Sequence, residues 1–167
     1  MIIAISGYSA SGKNTVGAAL AKALDFKFVA ISFRDFGDLL EMQKKAMEQS
    51  DIDRMLDARI EEMAKQADSV VATWLAGWKL NADFRVFLHA PLEVRRKRLA
   101  KRDGKTEEAA EMEIIWRDHV NRRRYLKYYG IDIFDTSHFD ISINTGIYKP
   151  SQCVDIILNT MKQKGLI

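Results

Sequence analysis

Residues 2–6 read Ile-Ile-Ala-Ile-Ser, and Gly7-Tyr8-Ser9-Ala10-Ser11-Gly12-Lys13-Asn14-Thr15 follow, running into a helix-like stretch. An apolar, branched run of this kind is a strand buried on both faces of a parallel sheet. Gly7 and Gly12 let the chain curl so that successive N–H groups point inward at an anion. A helix over about 13–24 aims its positive end at the same spot. Lys13 adds a full charge where nucleotide β and γ phosphates lie. The strand before and the helix after are the context that separates a phosphate-binding P-loop from an ordinary tight turn. Residues Gly7, Tyr8, Ser9, Ala10, Ser11, Gly12, Lys13, Asn14 and Thr15 are therefore the candidate nucleotide-binding set. The slot after the lysine holds Asn14, so the hydroxyl for a metal ion comes from Thr15.

The 167 residues, 47% hydrophobic and 29% charged, suit one soluble globular domain spanning 1–167. No apolar run reaches the length of a membrane span. Met1 leads straight into the strand without a leader pattern, and Cys153 is a single cysteine, so a reducing cytoplasm is expected. Cys153 reads as a small core residue of the last helix. His89, His119 and His138 show no metal-ligand spacing, and a net charge of +3 does not argue for nucleic acid. A monomer is expected.

Strands and helices alternate. Strands are predicted over 2–6, 26–31, 69–72, 84–89 and 141–144. Helices are predicted over 35–47 and 51–65, the latter with Met55, Leu56, Ile60 and Met63 on its apolar face. Pro91 opens a basic helix, Asp103-Gly104-Lys105 breaks it, and a long charged helix covers about 106–129 before a last one over 150–164. This predicts an α/β three-layer sandwich: a five-stranded parallel sheet with helices on both faces and a ligand site at the carboxyl ends of the strands.

Arginine is concentrated at Arg34, Arg54, Arg59, Arg95 to Arg102, Arg117 and Arg122 to Arg124. A planar guanidinium grips phosphate oxygens in pairs, which suits a site that stabilises charge moving between polyphosphates. Arg96, Lys97, Lys101 and Arg123 read as solvated helix surface. Arg122-Arg123-Arg124-Tyr125 also invites a weaker reading as a grip on single-stranded RNA.

Asp51 to Arg59, Leu75-Ala76-Gly77-Trp78, Ala90 to Arg95, Arg102 to Lys105, Arg124-Tyr125, Tyr129 to Ile133 and Phe139 to Thr145 resemble, in order, the archaeal type of cytidylate kinase. The resemblance covers nearly the whole chain. It implies a nucleoside monophosphate kinase fold with a helical acceptor-binding region and a small lid. It also implies ATP and Mg²⁺ as cofactors and CMP or dCMP as acceptor, with a nucleotide pair as the only partners. In that light Lys13, Arg117 and Arg124 are catalytic, and Thr15 is the metal-binding hydroxyl. Arg34, Arg59 and Trp74 are substrate-binding, and Asp103-Gly104-Lys105 lies in the lid. The resemblance has Arg117-Asp118 and Arg124 reach the phosphates on closure.

Two departures bear on activity. Relatives carry an acid, then Gly-Arg or Ser-Arg, before Leu-Ala-Gly-Trp; here Ala72, Thr73 and Trp74 stand there. The loop before Arg34 is also shorter. Trp74 reads either as a stacking platform for a base or as a plug, while Trp78 and Trp116 read as packing residues. The alternative to a kinase is a diverged nucleotide-binding module with weak or no transfer.

Overall fold

The computed structural model describes residues 1–31 and 50–167. The helix expected over 35–47, together with Arg34, lies outside them.

Strand β1 (Ile2–Gly7) runs through the middle of the sheet. Around it stand β2 (Lys27–Val29), β3 (Ser69–Ala72), β4 (Phe84–His89) and β5 (Ile141–Asn144), in the order β2-β3-β1-β4-β5. Every pairing is parallel, with Ile5 opposite Ala72 on one side and Val86 on the other. Alternation along β1 sends Ile3 and Ile5 to one face and Ala4 to the other, and all three are sealed from solvent.

Helix α1 (Lys13–Leu24) and the last helix, α6 (Pro150–Gln163), cover the Ile3/Ile5 face through Val16, Leu20, Ile157 and Met161. On the Ala4 face lie α2 (Ser50–Ala64), through Ile60 and Ala64, and the one-turn α3 (Ala76–Lys79), through Ala76. Helix α4 (Leu92–Asp103) and α5 (Glu107–Tyr129) pack on each other through Leu99, Ala100, Ala110 and Ile114. Gly104 caps α4 in the left-handed conformation, and Thr106 Oγ1 accepts the Ala109 N–H to start α5. Arg102 and Lys105 pair with Asp103, so the expected break is a short, charge-paired turn.

Three local expectations change. The second strand covers only Lys27–Val29, the span that pairs with β3, and Ala30 and Ile31 line a cleft instead. Met55 is 73% exposed, since the buried stripe of α2 runs through Asp53, Ile60 and Ala64. Helix α3 is an addition. Its Gly77 N–H donates to the buried Ser6 Oγ at 2.9 Å, and a Cβ at Gly77 would stand 2.2 Å from Phe139 Cε1. Trp78 meets Phe87 and Phe139 edge to face, as a packing residue does, and buried Cys153 sits in the α6 core. Among the described residues no helix is long and apolar enough to cross a membrane.

Candidate active site

The chain leaves β1 at Gly7, where a Cβ would collide with the Leu88 carbonyl oxygen at 2.0 Å, so only glycine passes. Ala10 at φ 58° and Gly12 at φ 93° then bend the loop back on itself. Gly12 delivers the chain into α1, whose first residue is Lys13. The ammonium of Lys13 curls over the loop and donates to Gly7 O at 2.7 Å and Tyr8 O at 2.9 Å. It also lies 5.0 Å from the centre of the Trp74 ring. Burial, with Arg117 as the next contributor, lowers its pKa to about 7.

The loop forms one wall of a cleft of about 700 Å³ at the carboxyl ends of the strands. Residues 9–16 line it, and so do Trp74, Arg117 and Arg124, so the structure brings these predicted side chains together with Lys13. Thr15 is exposed towards the same space. Trp74 belongs to the wall of the cleft, with the Tyr125 ring 6.5 Å away.

Other predicted residues fall elsewhere. Gly7 shapes the turn without lining the cleft, and the Tyr8 ring packs away from it against Phe87 and Phe134. Arg59 is not brought to the site: its side chain is 55% exposed and pairs with Glu62 one turn along α2. In the Arg122–Tyr125 run Arg122 is paired with Asp132, Arg124 and Tyr125 are buried, and Arg123 is exposed. Lys97 is exposed and pairs with Glu93 of α4, as the solvated reading expects, whereas Arg96 is half-buried between Glu107 and Glu111 of α5.

Arg124 is inside the protein. Its Nε lies 2.9 Å from Asp53 Oδ2, with the side chains 1% and 4% exposed, and its Nη2 donates to Tyr125 Oη at 3.0 Å. Burial raises Asp53 to about 6 against the pull of Arg124, and pushes Tyr125 up to about 12. One turn along α2, Asp57 accepts the Tyr129 hydroxyl at 2.7 Å, and burial raises its pKa too. Helix α2 is thus joined to α5 by two carboxylates. Arg117 lies 3.5 Å from Glu113, one turn before it on α5.

Several features around the cleft escaped the sequence reading. Thr145, just past β5, donates to Ser11 O at 2.7 Å and accepts from Arg98 Nη1 at 2.9 Å, fastening the loop from behind. Asp118 was expected beside the phosphates with Arg117. Instead its carboxylate turns to the loop backbone and accepts the Ser9 N–H at 3.2 Å. Asn121 is fully buried on the α5 face shared by Arg117 and Arg124, and neither amide atom has a partner among the described residues. These contacts join positions far apart in the chain, for which no local pattern exists.

Among the described residues no cluster of three His, Cys, Asp or Glu side chains could hold a metal ion. Ala72, at the end of β3, is a buried methyl group. Of the described cleft residues, Thr15 Oγ1 stands beside the lysine of the loop and would offer a magnesium ion one oxygen donor, leaving phosphate oxygens and water to supply the others.

A lysine-bearing glycine loop at the mouth of a cleft, on a five-stranded parallel sheet, defines a P-loop kinase type of domain. Solved structures agree on the fold. An uncharacterized protein from Eubacterium ventriosum superposes with a TM-score of 0.73 at 20% identity, covering 97% of this chain and 98% of that one. Shikimate kinase from Bacteroides thetaiotaomicron does so with 0.64 at 16%, covering 100% and 99%.

Sequence comparison goes further. The profile of the cytidylate kinase-like family matches residues 30–147. The chain is 38% identical to the cytidylate kinase of Sulfolobus acidocaldarius, over 99% of this chain and 97% of that protein. It is 41% identical to that of Pyrococcus abyssi, over 94% and 91%. The chain belongs to the cytidylate kinase-like family.

Proposed function

We propose that the protein transfers the γ-phosphoryl group of ATP to CMP or dCMP, giving ADP and CDP or dCDP. The observation that carries this reading is the convergence of Lys13, Arg117 and Arg124 on one cleft in a chain of this family. The loop N–H groups and the amino end of α1 bind the donor phosphates, and Lys13 leaves Gly7 O and Tyr8 O to pair with them. An oxygen of the acceptor phosphate attacks the γ phosphorus in line as the bond to the bridging oxygen of ADP breaks. Arg117 and Arg124 stabilise the charge on the equatorial oxygens, and the apolar ring of Trp74 keeps water from competing with the acceptor. No covalent intermediate is involved. Thr15 Oγ1 would hold a magnesium ion together with the nucleotide, and the ion would supply neutralisation of phosphate charge there.

The test is ADP release from ATP and Mg²⁺ with a panel of CMP, dCMP, UMP and AMP. CMP or dCMP is expected to stimulate release, and silence with all four, in a protein that still binds ATP, overturns the reading. Ala72 and Trp74 favour one alternative, a nucleotide-binding module that transfers nothing. On that alternative, A72E/W74R should switch turnover on in an otherwise inactive protein.

A further inference from the structure

Ser9 is the P-loop residue held from two helices at once. Its N–H donates to Asp118 Oδ1 of α5 at 3.2 Å, and its carbonyl accepts from Arg95 Nη1 of α4 at 3.3 Å. The same Arg95 nitrogen lies 2.6 Å from Asp118 Oδ2, closing a ring of hydrogen bonds through backbone, carboxylate and guanidinium. Both side chains are largely shielded, 12% and 15% exposed, so water screens the pair little. The Arg95 guanidinium also lies 5.4 Å from the centre of the Tyr8 ring, so two successive loop residues are engaged. Neither Arg95 nor Asp118 lines the cleft.

Arg117, the residue before Asp118, does line it. Successive residues of a helix point about 100° apart and stand about 1.5 Å apart along its axis. Pinning Asp118 to the outer edge of the loop therefore fixes how far along the cleft Arg117 sits. The influence of Arg117 on Lys13 is the electrostatic trace of that placement.

We propose that Arg95 and Asp118 are positioning residues for phosphoryl transfer: they clamp the P-loop at Ser9 to α4 and α5, so that Arg117 is carried at a fixed register beside the donor phosphates instead of swinging in with the α4–α5 turn. Neither residue touches the reacting atoms. The role of the clamp in turnover rests on the kinase reading above; the clamp itself does not. A misplacement of about 1 Å in a catalytic group costs as much as 100-fold in rate, so the clamp should weigh on kcat and little on substrate affinity.

The experiment compares D118N, R95M, R95K and the D118N/R95M double variant in steady-state kinetics with ATP and CMP. Alongside, it follows exchange of the Ser9 backbone amide by NMR in nucleotide-free protein. D118N and R95M are each expected to lower kcat by about 10- to 100-fold, with KM for ATP within about threefold of wild type. The double variant should be no worse than the poorer single one, because the residues act as one unit. R95K, which keeps a charged donor, should recover most of the loss. Ser9 exchange should speed up at least about tenfold in D118N and R95M, while the Val70 and Leu88 amides in the sheet stay protected. Multiplicative losses in the double variant, a raised KM with unchanged kcat, or an unchanged Ser9 amide would each overturn the proposal. Should D118N not fold, R95M against R95K makes the same comparison. Should the wild-type protein transfer to no acceptor, the kinase reading fails alone and the Ser9 exchange still decides whether the clamp exists.

Discussion

Asp53 on α2 and Arg124 on α5 meet at 2.9 Å with both side chains all but sealed from water, and this pair joins the two walls of the cleft. Removing one partner of a buried pair strands the other charge, at a cost of about 3–5 kcal/mol. D53A should lose about that much in denaturant unfolding.

The same carboxyl makes stability depend on pH. Burial holds Asp53 at about 6 in the fold, above the ordinary 3.8. Between those values the native state binds more protons than the unfolded chain, so this group's contribution falls as pH rises from about 4 to about 6. Unfolding curves across that window should show the decline, and D53N should flatten it.

Lys13 behaves in the opposite sense. Its amine titrates near 7 in the fold against 10.5 when free. The unfolded chain therefore carries the extra proton between those values, and stability rises with pH through that range. Lys13→Met is expected to raise Tm at pH 7 while removing the Tm increase that ADP gives the wild-type protein. Phosphates restore the ammonium, so ADP binding above pH 7 should take up a proton. Calorimetry in buffers of different ionisation heat measures that uptake, which Lys13→Met should abolish.

Thr145 ties the loop to the far edge of the sheet by donating to Ser11 O while accepting from Arg98. Valine keeps the shape and the Arg98 Nη2 bond to the backbone carbonyl of residue 145, but removes the hydroxyl that serves Ser11 O and Arg98 Nη1. A lost buried hydrogen bond of this kind costs about 1–3 kcal/mol. T145V should lose that much in thermal unfolding and bind ADP more weakly.

Gly77 is required by space alone, since a methyl group there would stand 2.2 Å from Phe139 Cε1 in a packed aromatic cluster. Overpacking of this kind costs about 1–3 kcal/mol, and G77A should show it as a lower Tm.

The glycine loop was legible because its residues are contiguous and each follows from backbone geometry. The five parallel strands were legible because apolar runs between helical stretches admit few other arrangements. Arg117 and Arg124 were found through their motif and do line the cleft, whereas Arg59, drawn from the same resemblance, pairs with Glu62 on the surface. Nothing in the local sequence separates an arginine aimed inward from one aimed outward when both sit on amphipathic helices. Asp118 shows the same limit from the other side. It stands beside Arg117 in the chain, yet its partners are Arg95 and a backbone N–H 109 positions away. Helix α3 escaped because a single turn has no periodicity to read, and it stands on tertiary contacts such as Gly77 to Ser6.

The most direct measurement is the initial rate of ADP formation from ATP and Mg²⁺ with CMP as acceptor, set against K13A under the same conditions. The account predicts CMP-dependent turnover that K13A loses by at least about 100-fold. Equal rates with and without CMP, or equal rates in K13A and wild type, would contradict it.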